Sequence, residues 1–140
     1  MNLLSKLFRR KGLRFEKPNG TIKTAGELIA EVTGGANLVE GKQTWEYAKD
    51  KKHNIDYMKK CCDAELKTMK KTGLEPAPYY FLRVAILSRK EKNYQQEIDY
   101  CERYINAVEQ WRRKHSASHI PVASYAYSFK RTCSGHFEVG

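Results

Sequence analysis

The sequence predicts an all-α fold, a small helical bundle followed by an irregular or short-strand C-terminal tail. Apolar residues recur at steps of three and four through residues 24–114, which is the period of one helix face. Signals for helix ends interrupt this pattern, notably Gly73 and Pro78. The chain has 140 residues, 41% of them hydrophobic, which is enough for one domain with its own core.

Charge divides the chain into three predicted regions. Residues 1–23 form a basic arm, residues 24–114 the helical domain, and residues 115–140 an aromatic and basic tail. The sequence has 26 basic and 16 acidic residues, which gives a net charge of +10. This excess favours an anionic partner: nucleic acid, an anionic membrane surface or an acidic protein face.

The basic arm contains a candidate amphipathic helix over residues 2–11, which Gly12 would end. Its apolar side is made by Leu3, Leu4, Leu7 and Phe8. Docking on a protein core is the favoured interpretation, because a helix of this length is marginal without tertiary contacts. An anionic membrane surface is the second interpretation. Further on, Pro18-Asn19-Gly20 predicts a turn whose flanks form either a small hairpin or an extended arm.

The helical domain begins at a capping box. Thr24 is followed three residues later by Glu27. The short helix that begins after Thr24 ends at Gly34-Gly35. Residues 33–43 are expected to be loop. Residues 44–72 form the longest periodic segment, with its weak point at Lys51-Lys52. Its predicted apolar stripe consists of Trp45, Ala48, Ile55, Met58, Cys62, Leu66 and Met69.

Residues 77–111 predict two helices joined by a turn at Lys92-Asn93. Proline fixes its backbone angle and disfavours helix before it, so the first helix starts at Ala77 or Pro78. Its stripe is Phe81, Val84, Ala85 and Ser88, with Tyr80 and Leu87 beside it. The stripe of the second helix is Tyr94, Ile98, Cys101, Ile105 and Val108.

This segment resembles a tetratricopeptide repeat, a family of paired helices. The family's first helix is matched by Phe81, Val84 and Ala85, its turn aromatic by Tyr94, and its second helix by Ile98 and Cys101. The sequence departs from the family at Lys92, where glycine is common, and at Glu97 and Tyr104, where small residues are preferred. The resemblance covers a single partial copy and implies repeat-like packing of these helices.

The predicted function is a non-enzymatic protein-interaction module, a scaffold or adaptor that uses an exposed face of aromatic and arginine side chains. The candidate partner-binding residues are Tyr79, Tyr80, Arg83, Arg89, Tyr100, Arg103, Tyr104 and Trp111. The expected partner is a protein with an acidic surface. The alternative for Tyr104 and Trp111 is packing against residues 44–72 or the tail.

The second hypothesis is nucleic-acid binding through the basic ends of the chain. The candidate contacts are Lys6, Arg9, Arg10, Lys11, Arg14, Arg112, Arg113, Lys114, Lys130 and Arg131. No helix-turn-helix, RNA-recognition or KH signature accompanies them.

Candidate chemistry is sparse. Two close pairs in the tail, His115 with His119 and Cys133 with His136, form a loose set of zinc ligands, for which exposed histidines and a free thiol are the favoured interpretation. No phosphate-binding glycine loop or nucleophile elbow is present, so neither an enzyme nor a cofactor is expected. The cysteines do not follow a secreted disulfide pattern, and the first residues are too charged for a signal peptide, so a cytoplasmic, reduced protein is expected.

Overall fold

The computed structural model describes residues 12–115, in which five helices and one two-stranded sheet form a small, mostly α bundle. The predicted fold class is confirmed. The elements are α1 (Ala25–Thr33), β1 (Leu38–Val39), β2 (Lys42–Gln43), α2 (Thr44–Asp50), α3 (Ile55–Thr72), α4 (Pro78–Lys90) and α5 (Tyr94–Lys114). The predicted N-terminal helix and nearly all of the C-terminal tail lie outside the described residues.

The first described elements follow the sequence signals. The turn at residues 18–20 closes a small hairpin, in which Glu16 and Ile22 form an antiparallel bridge. The Thr24 side chain accepts the amide of Glu27, and the Glu27 carboxylate accepts the amide of Thr24, which completes the capping box. Gly34 ends α1 in the left-handed conformation at φ 67°.

The expected loop at residues 33–43 contains the β1–β2 hairpin, so that prediction was wrong in part. Leu38 pairs with Gln43 and Val39 with Lys42 across a two-residue turn. Both turn residues, Glu40 and Gly41, have positive φ, as tight hairpin turns require. Glutamate is an uncommon residue at such a position, and this obscured the turn in the sequence.

The long periodic segment is two helices, because residues 51–54 break it. Asn54 caps α3 by accepting the amides of Asp56 and Tyr57 at 3.1 and 3.3 Å. The set of positions that faces the core shifts at this break. Trp45, predicted to be on the buried stripe, is 63% exposed, whereas Tyr47 and Cys61 are buried.

The helices α4 and α5 pack as the predicted hairpin. Pro78 is the first residue of α4, and Phe81 and Val84 on the predicted stripe are fully buried. The rings of Phe81 and Tyr104 lie 5.3 Å apart across the hairpin. Tyr94 is 45% exposed, so it does not belong to the buried seam.

Two contacts fix the direction of α3 relative to α5. The Asp63 carboxylate lies 2.9 Å from the Arg103 guanidinium, and the Gly73 carbonyl lies 2.8 Å from the Trp111 indole nitrogen. In both α3 and α5 the residue of the first contact precedes that of the second in the chain. The two helices are therefore parallel, and their C-terminal ends lie at the same end of the bundle. Because α4 pairs with α5 as a hairpin, it runs antiparallel to both.

Candidate functional site

Two residues of the predicted binding face are buried, which corrects their assignment as exposed anchors. Tyr80 is 5% exposed and Tyr104 is 1% exposed. Burial raises the pKa of each phenol to about 12. Both residues lie one or more positions off the predicted stripe, where the neighbouring helix decides whether a side chain is covered. Tyr104 therefore packs within the bundle, with its ring against Phe81 of α4. The alternative interpretation, packing against residues 44–72 or the tail, anticipated its burial but not this partner.

The three arginines of that face hold the bundle together. Arg83 donates to the carbonyl oxygen of Lys52 from Nε at 3.0 Å and from Nη2 at 2.6 Å, which ties α4 to the break before α3. Arg89 pairs with the buried carboxylate of Glu97, and its Nε donates at 2.8 Å. These guanidinium groups are committed to contacts within the fold.

Arg103 forms the third of these contacts. It bridges α5 to α3 through Asp63 and lies 4.9 Å from the ring centroid of Tyr100 on its own helix. Tyr100 is half-buried, and desolvation is the main cause that raises its phenol pKa. This pair forms a polar seam between two helices and presents little free aromatic surface.

Trp111 is also committed within the fold. Its indole nitrogen donates to the carbonyl oxygen of Gly73 at 2.8 Å, and its ring stacks on that of His115 at 4.6 Å. His115 Nδ1 lies 2.7 Å from the carbonyl oxygen of Trp111. The other members of the candidate zinc set, His119, Cys133 and His136, lie outside the described residues. Within residues 12–115 no group of three or more His, Cys, Asp or Glu is placed to hold a metal ion.

Exposed aromatic surface remains at the junction of α2 and α4. Trp45 is 63% exposed and Tyr79 is 39% exposed. The ring of Tyr79 meets that of Tyr80 edge-on at 5.4 Å. The Thr44 side chain, next to Trp45, lies close enough to the Tyr80 phenol to oppose the rise in its pKa that burial causes. We call Trp45 and Tyr79 the aromatic face. Sequence reasoning found Tyr79 and missed Trp45, because it continued one stripe across the break before α3.

Glu65 supports this junction from α3. Its carboxylate accepts the amide of Ala77 at 3.1 Å and lies 3.4 Å from the Thr44 hydroxyl. Ala77 is the N-cap of α4 and has no side-chain cap of its own. Glu65 satisfies the amide of Ala77, which has no partner within the helix. Desolvation raises the pKa of Glu65 above its ordinary value, although both hydrogen bonds oppose the shift.

The cysteine side chains within residues 12–115 differ in state. Cys61 and Cys62 are free and fully buried. Desolvation raises the pKa of the Cys61 thiol to about 12 and raises that of Cys62 as well, so both are poor nucleophiles. Cys101 is disulfide-bonded, which corrects the expectation that the chain is reduced.

Four candidate nucleic-acid contacts lie in the described part of the chain. Arg14, Arg113 and Lys114 are exposed, and Arg112 is half-buried. The other six candidates (Lys6, Arg9, Arg10, Lys11, Lys130 and Arg131) lie outside the described residues. No helix within residues 12–115 is both long enough and apolar enough to span a membrane.

The fold and this surface define a small helical module in which Arg83, Arg89 and Arg103 join elements of the bundle. No protein-family model matches the chain, and neither a curated protein nor a solved structure is significantly similar to it.

Proposed function

We propose that this chain is a non-enzymatic protein-interaction module that binds its partner through the aromatic face, Trp45 and Tyr79. The observation that carries the proposal is the 63% exposure of Trp45 at the start of α2. Tryptophan and tyrosine are enriched among the residues that dominate binding energy at protein interfaces. They provide a large contact area at a small cost in side-chain entropy.

The rigidity of the junction supports this role. Glu65 joins α3 to Thr44 of α2 and to Ala77, the N-cap of α4. Tyr47, two residues after Trp45, is buried and donates to the carbonyl oxygen of Val39 at 2.8 Å. The backbone that carries Trp45 is therefore held by buried contacts, which lowers the entropy lost when a partner binds.

The tetratricopeptide-like arrangement is part of the proposal. It is supported by the burial of Phe81, Val84 and Ala85 in the α4–α5 hairpin and by α3 lying parallel to α5. Two of the residues that depart from the family pattern have partners within the hairpin. Glu97 pairs with Arg89, and Tyr104 packs on Phe81. Lys92 has φ +58°, a backbone conformation that glycine adopts more easily.

Affinity purification from the native host tests the proposal. The full chain is compared with the Trp45→Ala, Tyr79→Ala double variant by quantitative mass spectrometry. The matched control is the Phe15→Ala, Ile22→Ala double variant, which removes two exposed apolar side chains from the N-terminal hairpin. We expect a protein present in stoichiometric amounts with the wild type and the control, and lost with the first variant. Equal recovery with all three chains would contradict the proposed surface.

A further inference from the structure

Positively charged residues converge where α3 and α5 end. The Trp111–Gly73 hydrogen bond holds the two C-terminal ends side by side. The last turn of α3 carries Lys70 and Lys71, and the last turn of α5 carries Arg112, Arg113 and Lys114. Because the two helices run parallel, residues some forty positions apart in the chain form one basic end.

A groove continues this charge along α3. It has a volume of about 420 Å³ and lies between α3 and residues 34–40. Lys60, Lys67 and Lys71 line it from one face of α3. Seven and then four residues separate them, which corresponds to steps of about 10 and 6 Å along the helix axis. Lys71 belongs both to the groove and to the basic end, so the two form a continuous basic track.

Contacts within the fold engage only some of the cations of the basic track. Lys60 pairs with Glu40 at 2.6 Å, and Lys71 donates to the carbonyl oxygen of Thr33 at the end of α1. Asp63, also on the groove wall, is bound to Arg103. The remaining five cations form no ion pair with any residue between 12 and 115; they are Lys67, Lys70, Arg112, Arg113 and Lys114.

The helix ends and nearby acids do not balance these five charges. Two helix C-termini together contribute roughly one negative charge. The acids closest in sequence to this end are Glu75, after α3, and Glu109, four residues before Arg113. Three negative charges against five positive ones leave a positive excess, to which Lys71 adds. A basic patch of this kind attracts anions beyond what the fold supplies.

We propose that the basic track binds the phosphodiester backbone of a nucleic acid. A row of cations fits a linear polyanion. Lys60 and Lys71 are eleven positions apart, which corresponds to about 16 Å of helix and matches about five phosphates of one strand. Within residues 12–115 the side chains assigned to the track are lysines and arginines, which suit phosphates, so we expect binding that is independent of sequence and falls steeply with salt.

Two other anionic partners fit the track less well. A membrane-surface helix needs a row of exposed apolar side chains beside its lysines. Met58 and Cys62 of α3 are buried in the core, and Leu74, 36% exposed just after α3, does not make such a row. An acidic protein would be anchored by an aromatic side chain at the centre of the contact. The aromatic residue at this end, Trp111, uses its indole nitrogen within the fold.

The track is separate from the proposed protein-binding surface. Glu65, which supports the aromatic face, and Lys67, which lines the groove, are two residues apart on α3 and so lie about 200° apart around its axis. The inference therefore does not rest on the proposed protein partner, and variants of one surface leave the other unchanged.

Fluorescence anisotropy with the full chain tests the inference. The probes are a short labelled single-stranded DNA of mixed sequence and the corresponding duplex, whose comparison shows which form the track prefers. The first variant is the triple substitution Lys67→Gln, Lys70→Gln, Arg113→Gln. The control is Lys49→Gln, Lys52→Gln, Lys90→Gln, which removes the same charge from exposed positions outside the track.

We expect the track variant to bind the better of the two probes at least about tenfold more weakly, and the slope of log K against log salt to fall by about two. The control is expected to change affinity by less than about threefold. Equal losses in both variants would overturn the inference, because net charge alone would then explain binding. It would also be overturned if polyglutamate or phosphatidylserine vesicles bound as tightly as DNA and were equally sensitive to the track variant.

Discussion

The indole nitrogen of Trp111 donates a 2.8 Å hydrogen bond to the carbonyl oxygen of Gly73. This carbonyl follows the last turn of α3, where backbone oxygens lack partners within the helix. The same bond holds the last turn of α5 beside the end of α3. A single side chain therefore satisfies one helix end and aligns two parallel helices, and both the basic end and the packing of the bundle depend on that alignment.

Trp111→Phe is expected to lower the free energy of unfolding by about 1–2 kcal/mol, because it removes this hydrogen bond while keeping an aromatic ring against His115. Chemical denaturation of the full chain measures the change. Trp45→Phe is the matched control, since Trp45 is exposed and its replacement should change stability by less than about 0.5 kcal/mol. Equal effects of the two substitutions would show that the Trp111 bond contributes nothing to stability.

Glu65 makes stability depend on pH. Desolvation raises its pKa in the folded chain above the ordinary value of 4.5, so the folded state binds this proton more tightly than the unfolded state. The contribution of Glu65 to stability therefore falls as pH rises from 4.5 through the raised pKa. Glu65→Gln removes this dependence and keeps an oxygen that can accept the Ala77 amide.

The stability of the Glu65→Gln variant relative to the wild type is accordingly expected to increase between about pH 4 and pH 7. Thermal unfolding over that range measures it. Glu102→Gln is the control, because Glu102 is an exposed residue of α5 and its replacement should leave the pH profile unchanged. A constant difference between Glu65→Gln and wild type would contradict the role of desolvation.

The Arg89–Glu97 pair joins the two helices of the hairpin, and the Glu97 side chain is only 4% exposed. Glu97→Ala is expected to cost about 1.5–3 kcal/mol, since it removes a charge-assisted hydrogen bond from a partly buried arginine. Urea denaturation would show the loss. Glu102→Ala, on the exposed side of the same helix, should change the free energy of unfolding by less than about 0.5 kcal/mol. A loss of stability as large as that of Glu97→Ala would refute a specific role for the Arg89–Glu97 pair.

Lys92 turns the chain from α4 to α5 at φ +58°. A left-handed conformation costs a side-chain-bearing residue about 1–2 kcal/mol, and glycine adopts it without that cost but is more flexible when unfolded. Lys92→Gly is therefore expected to stabilise the chain by about 0.5–1 kcal/mol. Glu102→Gly, at an exposed position in the interior of α5, should have the opposite sign. Destabilisation by both substitutions would contradict the strained turn.

The α4–α5 hairpin could be predicted from the sequence because its signals agree. Pro78 marks the start of α4, and Phe81, Val84 and Ala85 share one face at helical spacing, all of them buried. The break before α3 was predicted only as a weak point at Lys51-Lys52 in one continuous stripe, because no glycine or proline marks it. The available signal was Asn54, which caps α3, and recognising it would have removed Trp45 from the predicted stripe.

The binding face was harder to predict because the exposure of an aromatic residue depends on tertiary neighbours. Tyr79 and Tyr80 are adjacent and chemically identical, yet one is 39% exposed and the other 5%. The arginines raise the same difficulty, since their partners, such as Asp63 for Arg103, lie far away in the chain. Periodicity identifies a helix face, but it does not identify which neighbouring helix covers the positions beside it.

The most direct test of the central claim is the affinity of the reconstituted complex between the purified chain and the protein that copurifies with it, measured by isothermal titration calorimetry. We expect one-to-one binding, weakened about thirtyfold or more by Trp45→Ala, since interface residues of this kind contribute about 2 kcal/mol or more. Ile22→Ala, which removes another exposed apolar side chain, should change affinity by less than about threefold. Equal affinity for the wild type and the Trp45→Ala variant would contradict the claim that the aromatic face binds the partner.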